Sequence, residues 1–363
     1  MGAGGSKLAN FIERGDVDGV RKALQNEEDA DCNNKGAYTP LHKASEAGYY
    51  DIAVALVAAK ANIHAKDQRL KTLNYEPLHF AVENGHEDIT KMLISSGASL
   101  SSQTASGDQL LHLAIKGNHH SIVSILIGSG ADLSITDASG KTPLHIAAKL
   151  GTVQILTVLL DAGADLSCKD DNGDQPHHLA AQTGKSKTMG ILLNAGADCC
   201  DFNSKGNQAV HIAADNGYHL TVTSLLCAGA DISIPNFEGK YAVHLAASKG
   251  HLEVLKVLKN HGDDFAAFTK NPKKDTPLHC AVENGHMNIV QWLVRNGASL
   301  KSRNASRLTP VDVAKLNCFD ESISNWFEWV NEQKRNVVSF CLFMYYANDE
   351  TDLEIENLIL QRI

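Results

Sequence analysis

The chain has 363 residues and a formal net charge of −9 at pH 7, which argues against a general nucleic-acid binder because such proteins need a basic surface. Its eight cysteines contain no C-x-x-C pair and no zinc-ligand spacing, which favours reduced thiols in the cytoplasm. Residues 1–20 lack the apolar core of a secretory signal, and no run reaches the roughly 18 apolar residues of a membrane span.

The first six residues, MGAGGS, are expected to form a flexible segment, 1–6. Gly2 and Ser6 also match the N-myristoylation pattern, although a flexible glycine-rich start is the simpler interpretation. One acyl chain binds a membrane only marginally. A lipid-anchored adaptor, with membrane contact only through Gly2, is therefore kept as an alternative.

A box of the type Thr-Pro-Leu-His recurs along the chain. From His79 to His244 the spacing of its histidine is 33 residues, and a period of this length indicates stacked supersecondary units. Further boxes precede and follow this stretch, and the ninth position of the series is Asp312 in place of a histidine. The eight box histidines are His42, His79, His112, His145, His178, His211, His244 and His279.

The clearest unit, residues 137–169, predicts two short antiparallel helices. Thr142 is expected to cap the first helix, Pro143 to start it, and Gly151 to end it in a left-handed conformation. An apolar stripe at helical spacing predicts the second helix, and a polar finger leads to the next unit. The stripe consists of Ile155, Leu156, Leu159 and Leu160.

This unit resembles the ankyrin repeat, through the box, the Ala-Ala pair, the mid-unit glycine and the Gly-Ala-Asp ending. The resemblance implies an all-α solenoid of stacked helix pairs with β-hairpin-like fingers. It covers residues 7–330, as nine units preceded by an N-terminal half-unit that caps the stack. It also implies that the box imidazole bonds to neighbouring turns, and that the function is binding to another protein.

Two fingers are lengthened, within residues 66–75 and 265–275, and both insertions are basic. The finger between them is acidic. We therefore expect charge along the finger edge to alternate basic, acidic, basic. The acidic residues are Asp165, Asp170, Asp171 and Asp174.

The repeat pattern ends near Val330, and 331–363 is predicted to be a C-terminal capping or partner-binding segment. Residues 337–347 are strongly apolar but too short to cross a bilayer, which favours a helix over the last open face. The acidic-then-apolar end loosely resembles secretion tails of bacterial type IV effectors. An ankyrin-type effector translocated into a host cytosol is therefore a second alternative.

No catalytic or phosphate-binding motif occurs, so we predict no enzyme activity and no cofactor. The box histidines lie one per unit, about 10 Å apart by helix spacing, and are expected to be structural instead of metal-binding. His119, His120 and His177 are interpreted as surface or filling residues.

Binding is expected in the concave groove and at the finger tips, because those side chains do not complete the stacking core. Phe237 is the strongest single candidate, since aromatic side chains dominate interface energetics. Phe202 and Tyr241 have an alternative interpretation as packing between fingers. The predicted protein-binding residues are Tyr38, Tyr75, Lys141, Asp174, Phe237, Lys240 and Tyr241. Taken together, these features predict a monomeric, non-catalytic cytoplasmic scaffold with a protein partner.

Overall fold

A computed structural model describes residues 7–32, 38–67, 74–262, 273–316 and 321–345, with side chains as far as residue 333. Within these ranges the chain forms twenty helices, and the only β pairing is one isolated bridge between Gln103 and Gln109. The expected all-α class is confirmed, and the fingers of the described ranges are turns that contain no paired strands. The helices are α1 Lys7–Glu13, α2 Val17–Gln25, α3 Pro40–Ala47, α4 Tyr50–Ala58, α5 Pro77–Glu83, α6 Glu87–Ser95, α7 Leu110–Lys116, α8 His120–Gly128, α9 Pro143–Leu150, α10 Val153–Asp161, α11 Pro176–Gln182, α12 Ser186–Asn194, α13 Ala209–Asp215, α14 His219–Cys227, α15 Ala242–Lys249, α16 Leu252–Asn260, α17 Pro277–Glu283, α18 Met287–Arg295, α19 Pro310–Leu316 and α20 Glu321–Tyr345.

Helices α9 and α10 show how the sequence of one unit forms a pair. Pro143 is the first residue of α9, where a missing N–H is harmless, and Gly151 ends the helix with φ of 77°. In α10 the predicted stripe faces inward, with Ile155, Leu156 and Leu159 buried. Leu160, also predicted in the stripe, is half-buried.

The chain divides into two compact units, Met1–Ala180 with Asn194–Ala197, and Ala181–Leu193 with Asp198–Ile363. In the first unit, the first helices of successive pairs pack together in the order α1, α3, α5, α7, α9, and the second helices in the order α2, α4, α6, α8, α10. In the second unit α13, α15, α17 and α19 pack in the same way, as do α14 and α16. Each unit thus buries faces that a single pair would leave exposed.

Most described fingers close around one Asp or Asn side chain. The carboxylate Oδ1 of Asp170 accepts the backbone N–H of Asn172 at 2.8 Å and of Asp174 at 3.0 Å. Gly173, with φ of 71°, donates its N–H to the carbonyl of Asp170. The same turn recurs around Asp137, Asn203, Asn236 and Asn304.

Both ends of the described chain are helical. Helices α1 and α2 form a pair, with Leu8 and Ile12 buried, in the segment interpreted as the N-terminal half-unit. Helix α20 runs through the predicted boundary at Val330 without a break and buries Ile323, Phe327 and Val330 on one face against α18 and α19. The tail 346–363 lies outside the described residues.

Candidate protein-interaction surface

The box histidines join each helix start to the following finger. Nδ1 of His145 accepts the backbone N–H of Thr142 at 3.1 Å, and the Thr142 hydroxyl lies 2.8 Å from the same nitrogen. Nε2 lies 2.9 Å from the carbonyl oxygen of Asp174. Since a carbonyl only accepts, Nε2 carries the proton and the ring is neutral. The implied bonding of the box imidazole to neighbouring turns is confirmed here, and equivalent bonds are made by His42, His79, His112, His211 and His279.

Burial keeps these rings neutral. Desolvation lowers the pKa of His79 and of His211 to about 4, against the usual 6.5. The pKa values of His112, His145 and His279 are lowered for the same reason. A ring that is neutral and bonded at both nitrogens has no free lone pair for a metal ion.

A second series of histidines was not recognised from the sequence. Nε2 of His119 lies 2.9 Å from the carbonyl oxygen of Glu83, in the preceding pair, and its ring covers Gly85. His86, His251 and His286 make the same contact. All four follow a mid-unit turn directly, so their place relative to that turn was the available signal. His119 is half-buried with its ring over Gly85, which fits the expected filling role, and the exposed His120 fits the expected surface role.

The described fingers each have an exposed tip residue, which follows the turn-forming Asp, Asn or Thr. At two of the tips the main chain contacts the preceding finger: the N–H of Phe237 donates to the carbonyl of Lys205, and the N–H of Asp171 to the carbonyl of Ser139, both at 3.2 Å. In the other described fingers this tip residue is small or polar. The full set is Ala105, Ala138, Asp171, Ser204, Phe237 and Ala305.

Phe237 is the exception among these tips. Its side chain is 76% exposed, the highest value for a large apolar residue in the described part of the chain. One side of the ring lies against Gly206, where an added Cβ would be 2.2 Å from Cδ1. On the same finger Lys240 pairs with Glu238 at 3.0 Å. The finger therefore presents an aromatic ring next to a compact charge pair.

Two predicted contact residues of the first unit serve packing. Tyr75 is 5% exposed, with its ring stacked 5.3 Å from that of His79. The expected exposure of Tyr75 is therefore wrong, because the ring fills the space beside the box. Tyr38 is half-buried, stacks 5.4 Å from His42, and its hydroxyl donates to a carboxylate oxygen of Glu46.

Lys141 and Asp174 also have internal partners. Nζ of Lys141 lies 3.2 Å from Oδ2 of Asp170, whose carboxylate is fully buried. The carbonyl of Asp174 receives the His145 bond, and its side chain is half-buried. Hence the acidic finger is partly neutralised within the fold.

Of the two aromatic residues with an alternative packing interpretation, one is half-buried and the other is exposed. Tyr241 is half-buried and precedes α15, with its ring 5.5 Å from that of His244, whereas Phe202 is exposed. Packing, one of the two interpretations, thus fits Tyr241 better than Phe202. Gly2, most of both basic insertions and the acidic tail lie outside the described residues.

A sequence profile described as ankyrin repeats (3 copies) matches residues 7–104, 78–170, 154–236 and 210–304, which together exceed half of the chain. The chain belongs to the ankyrin-repeat family. Ankyrin repeats are generally protein–protein interaction modules, and the proteins that contain them are typically non-catalytic.

Parts of other proteins give shorter matches. The chain is 38% identical over 64 residues to the potassium channel SKOR of Arabidopsis thaliana, and 37% identical over 46 residues to alpha-latrocrustotoxin-Lt1a of Latrodectus tredecimguttatus. These matches span 18% and 13% of this chain, but only 8% and 3% of the relatives' own length.

Among solved structures, the human ASB11 ankyrin repeat domain aligns with a TM-score of 0.56 and 24% identity, over 62% of this chain and 98% of that domain. At that identity the likeness shows the fold alone. In the part of the chain that the structure describes, every helix falls short of the length and apolarity that crossing a bilayer requires.

Proposed function

We propose that this ankyrin-repeat chain is a non-catalytic scaffold and that the finger carrying Phe237 contacts its protein partner. The observation that supports this most is the 76% exposure of a phenylalanine at a position that alanine, serine and aspartate fill elsewhere. The fold gains little from that ring, since the main-chain N–H makes the finger contact. Aromatic residues, phenylalanine among them, are enriched at protein interfaces, where a few side chains carry most of the binding energy.

Pre-organisation favours this finger as an anchor. Asn236 fixes the turn through its side-chain oxygen, with bonds to the N–H groups of Glu238 and Lys240 at 3.1 and 2.9 Å. Its amide donates to Oδ1 of Asn207 at 2.8 Å, tying the finger to its neighbour. Binding to such a finger orders little extra chain, which keeps the entropic cost low.

The experiment begins with a photocrosslinking amino acid placed at position 237 and, separately, at position 220. Leu220 is 60% exposed on α14 of the same unit and so is a matched apolar control. We expect position 237 to capture a partner that position 220 does not. The captured protein is then purified for affinity measurements.

Phe237→Ala should weaken that affinity by about 2 kcal/mol, or roughly 30-fold, as truncation of an aromatic hot spot does. Leu220→Ala should leave it unchanged, and thermal unfolding of both variants should match the wild type within about 0.5 kcal/mol. Unchanged affinity in Phe237→Ala would contradict the proposal, and loss of folding would show that the ring is structural.

A further inference from the structure

One inter-repeat turn of the second unit has two adjacent cysteines at the positions where its counterparts have an aliphatic residue and a serine. Asp165 and Asp231 each follow a second helix and accept the N–H of the residue two positions later, a serine, at 2.8 Å. Asp132 does the same with Ser134. The residue between is leucine or isoleucine in all three turns. In the fourth turn the intervening residue and the serine are both cysteine, and we call Asp198, Cys199 and Cys200 the dithiol turn.

The three side chains of the dithiol turn converge. The sulfurs of Cys199 and Cys200 are 4.0 Å apart, and one ligand atom from each of the three residues lies within 4.8 Å of the others. Cys199 is 7% exposed, and its sulfur lies 3.8 Å from the carbonyl of Ala228, so one side of the cluster is held by the fold. Cys200 is half-buried and Asp198 is exposed, which leaves the other side open to solvent.

This spacing suits a thiophilic cation. A zinc–sulfur bond is about 2.3 Å long, so one ion bonded to two sulfurs 4.0 Å apart would make a sulfur–metal–sulfur angle of roughly 120°. Ideal tetrahedral geometry needs the sulfurs roughly 0.2 Å closer, a shift that a cysteine side chain makes easily. We propose that the dithiol turn binds one borderline-soft divalent cation of the Zn²⁺ or Cd²⁺ type, through both sulfurs and the Asp198 carboxylate, with water completing the shell.

The donor set selects the class of metal. Ca²⁺ requires six to eight oxygen ligands and Mg²⁺ a near-ideal octahedron of oxygens, neither of which two sulfurs and one carboxylate provide. Soft thiolates favour zinc and its heavier relatives. An adjacent cysteine pair escapes sequence inspection because it lacks the two-residue gap of the familiar zinc motifs.

Metal binding should have a measurable proton signature. A metal binds cysteine as the thiolate and not as the thiol, so one cation held by two cysteines should release up to about two protons and bind more tightly as the pH rises.

The test uses the full chain, reduced with a phosphine that does not bind metal. Titration with Cd²⁺ should produce the ultraviolet charge-transfer absorption of thiolate–cadmium bonds, saturating at one ion per chain by native mass spectrometry. Zn²⁺ should abolish this absorption by competition. Release of about two protons, followed with a pH indicator, completes the expected result.

The decisive control is C199L/C200S, which restores the Leu-Ser pair of the turns at Asp132 and Asp165 and so keeps the fold. It should lose the absorption and the tight stoichiometric binding. Asp198→Asn retains the oxygen that accepts the Cys200 N–H, at 2.9 Å in the wild type, but should weaken binding by roughly 10-fold or more.

Absence of the charge-transfer band in the wild type would overturn the proposal. The same band and stoichiometry in C199L/C200S would also overturn it, because the other cysteines would then be the ligands. Unchanged affinity in Asp198→Asn would overturn the three-ligand site. None of these results bears on the partner-binding finger, so the two proposals fail separately.

Discussion

The starts of α9 and α11 place the same side chain under opposite conditions. In α9, His145 is fully buried and both ring nitrogens have partners, the Thr142 N–H and the Asp174 carbonyl. In α11, His177 occupies the box position that leucine fills in α9, and it too is fully buried. Within the described residues neither of its ring nitrogens has a hydrogen-bond partner.

The difference shows that burial alone does not decide what a polar residue contributes to this fold. A buried imidazole with a hydrogen bond at each ring nitrogen connects the start of one helix to the next finger. A buried imidazole without hydrogen bonds loses its contacts with water and gains none in return, so it destabilises the fold. Desolvation lowers the pKa of His177 to about 3, with the neighbouring rings of His178 and His145 adding to the shift. The repeat therefore specifies the box histidine and merely tolerates the extra one.

Acid should lower the free energy of unfolding more than any single substitution, because it protonates several buried histidine rings at once. The pKa of His79 and of His211 is about 4 when folded, against 6.5 when unfolded, so below pH 6.5 the unfolded chain binds more protons. Each such ring costs about 1.4 kcal/mol of stability per pH unit in that window. From these two rings alone, the free energy of unfolding should be highest above pH 6.5 and should fall by about 6 kcal/mol by pH 4. Thermal melts across this range test it; constant stability between pH 6.5 and 5 would contradict it.

His145→Leu should give the next largest effect. Leucine is similar in volume, but it leaves the Thr142 N–H and the Asp174 carbonyl without their buried partner. Removing both bonds should lower the free energy of unfolding by about 3 kcal/mol, measured by urea denaturation. A loss below about 1 kcal/mol would mean that water replaces the ring at this site.

His177→Leu should have the opposite sign. It restores the box leucine, which is 1% exposed at Leu144, and removes two buried nitrogens without partners in the described structure. We expect stabilisation of about 2 kcal/mol and a shallower fall in stability below pH 6.5. Destabilisation of this variant would contradict the contrast between α9 and α11.

The sequence predicted the structure well at residues whose place the repeat determines, and poorly at residues that vary between repeats. The 33-residue period and the box predicted the helix pairs, and Gly151 was expected to end its helix in a left-handed conformation, which it does with φ of 77°. The expected exposure of Tyr75 failed because only the packing shows that its ring stacks on His79.

The ends were harder to predict, because no neighbouring unit constrains them. The apolar residues of the last helix predict burial without showing where the helix stops, and α20 continues through the expected boundary at Val330. The convergence of Asp198, Cys199 and Cys200 was missed for another reason: the 33-residue period places the turn but does not show how near its side chains come to one another.

The smallest expected effect separates two adjacent histidines near the surface. His119 bonds to the Glu83 carbonyl at 2.9 Å and covers Gly85, whereas His120 is exposed on the first turn of α8. His119→Ala should therefore cost about 1 kcal/mol, the usual net value of one hydrogen bond, and His120→Ala less than about 0.5 kcal/mol. Urea denaturation of the two variants side by side measures the difference. Equal losses would show that the ring over Gly85 adds nothing to stacking, and that only the fully buried histidines hold successive repeats together.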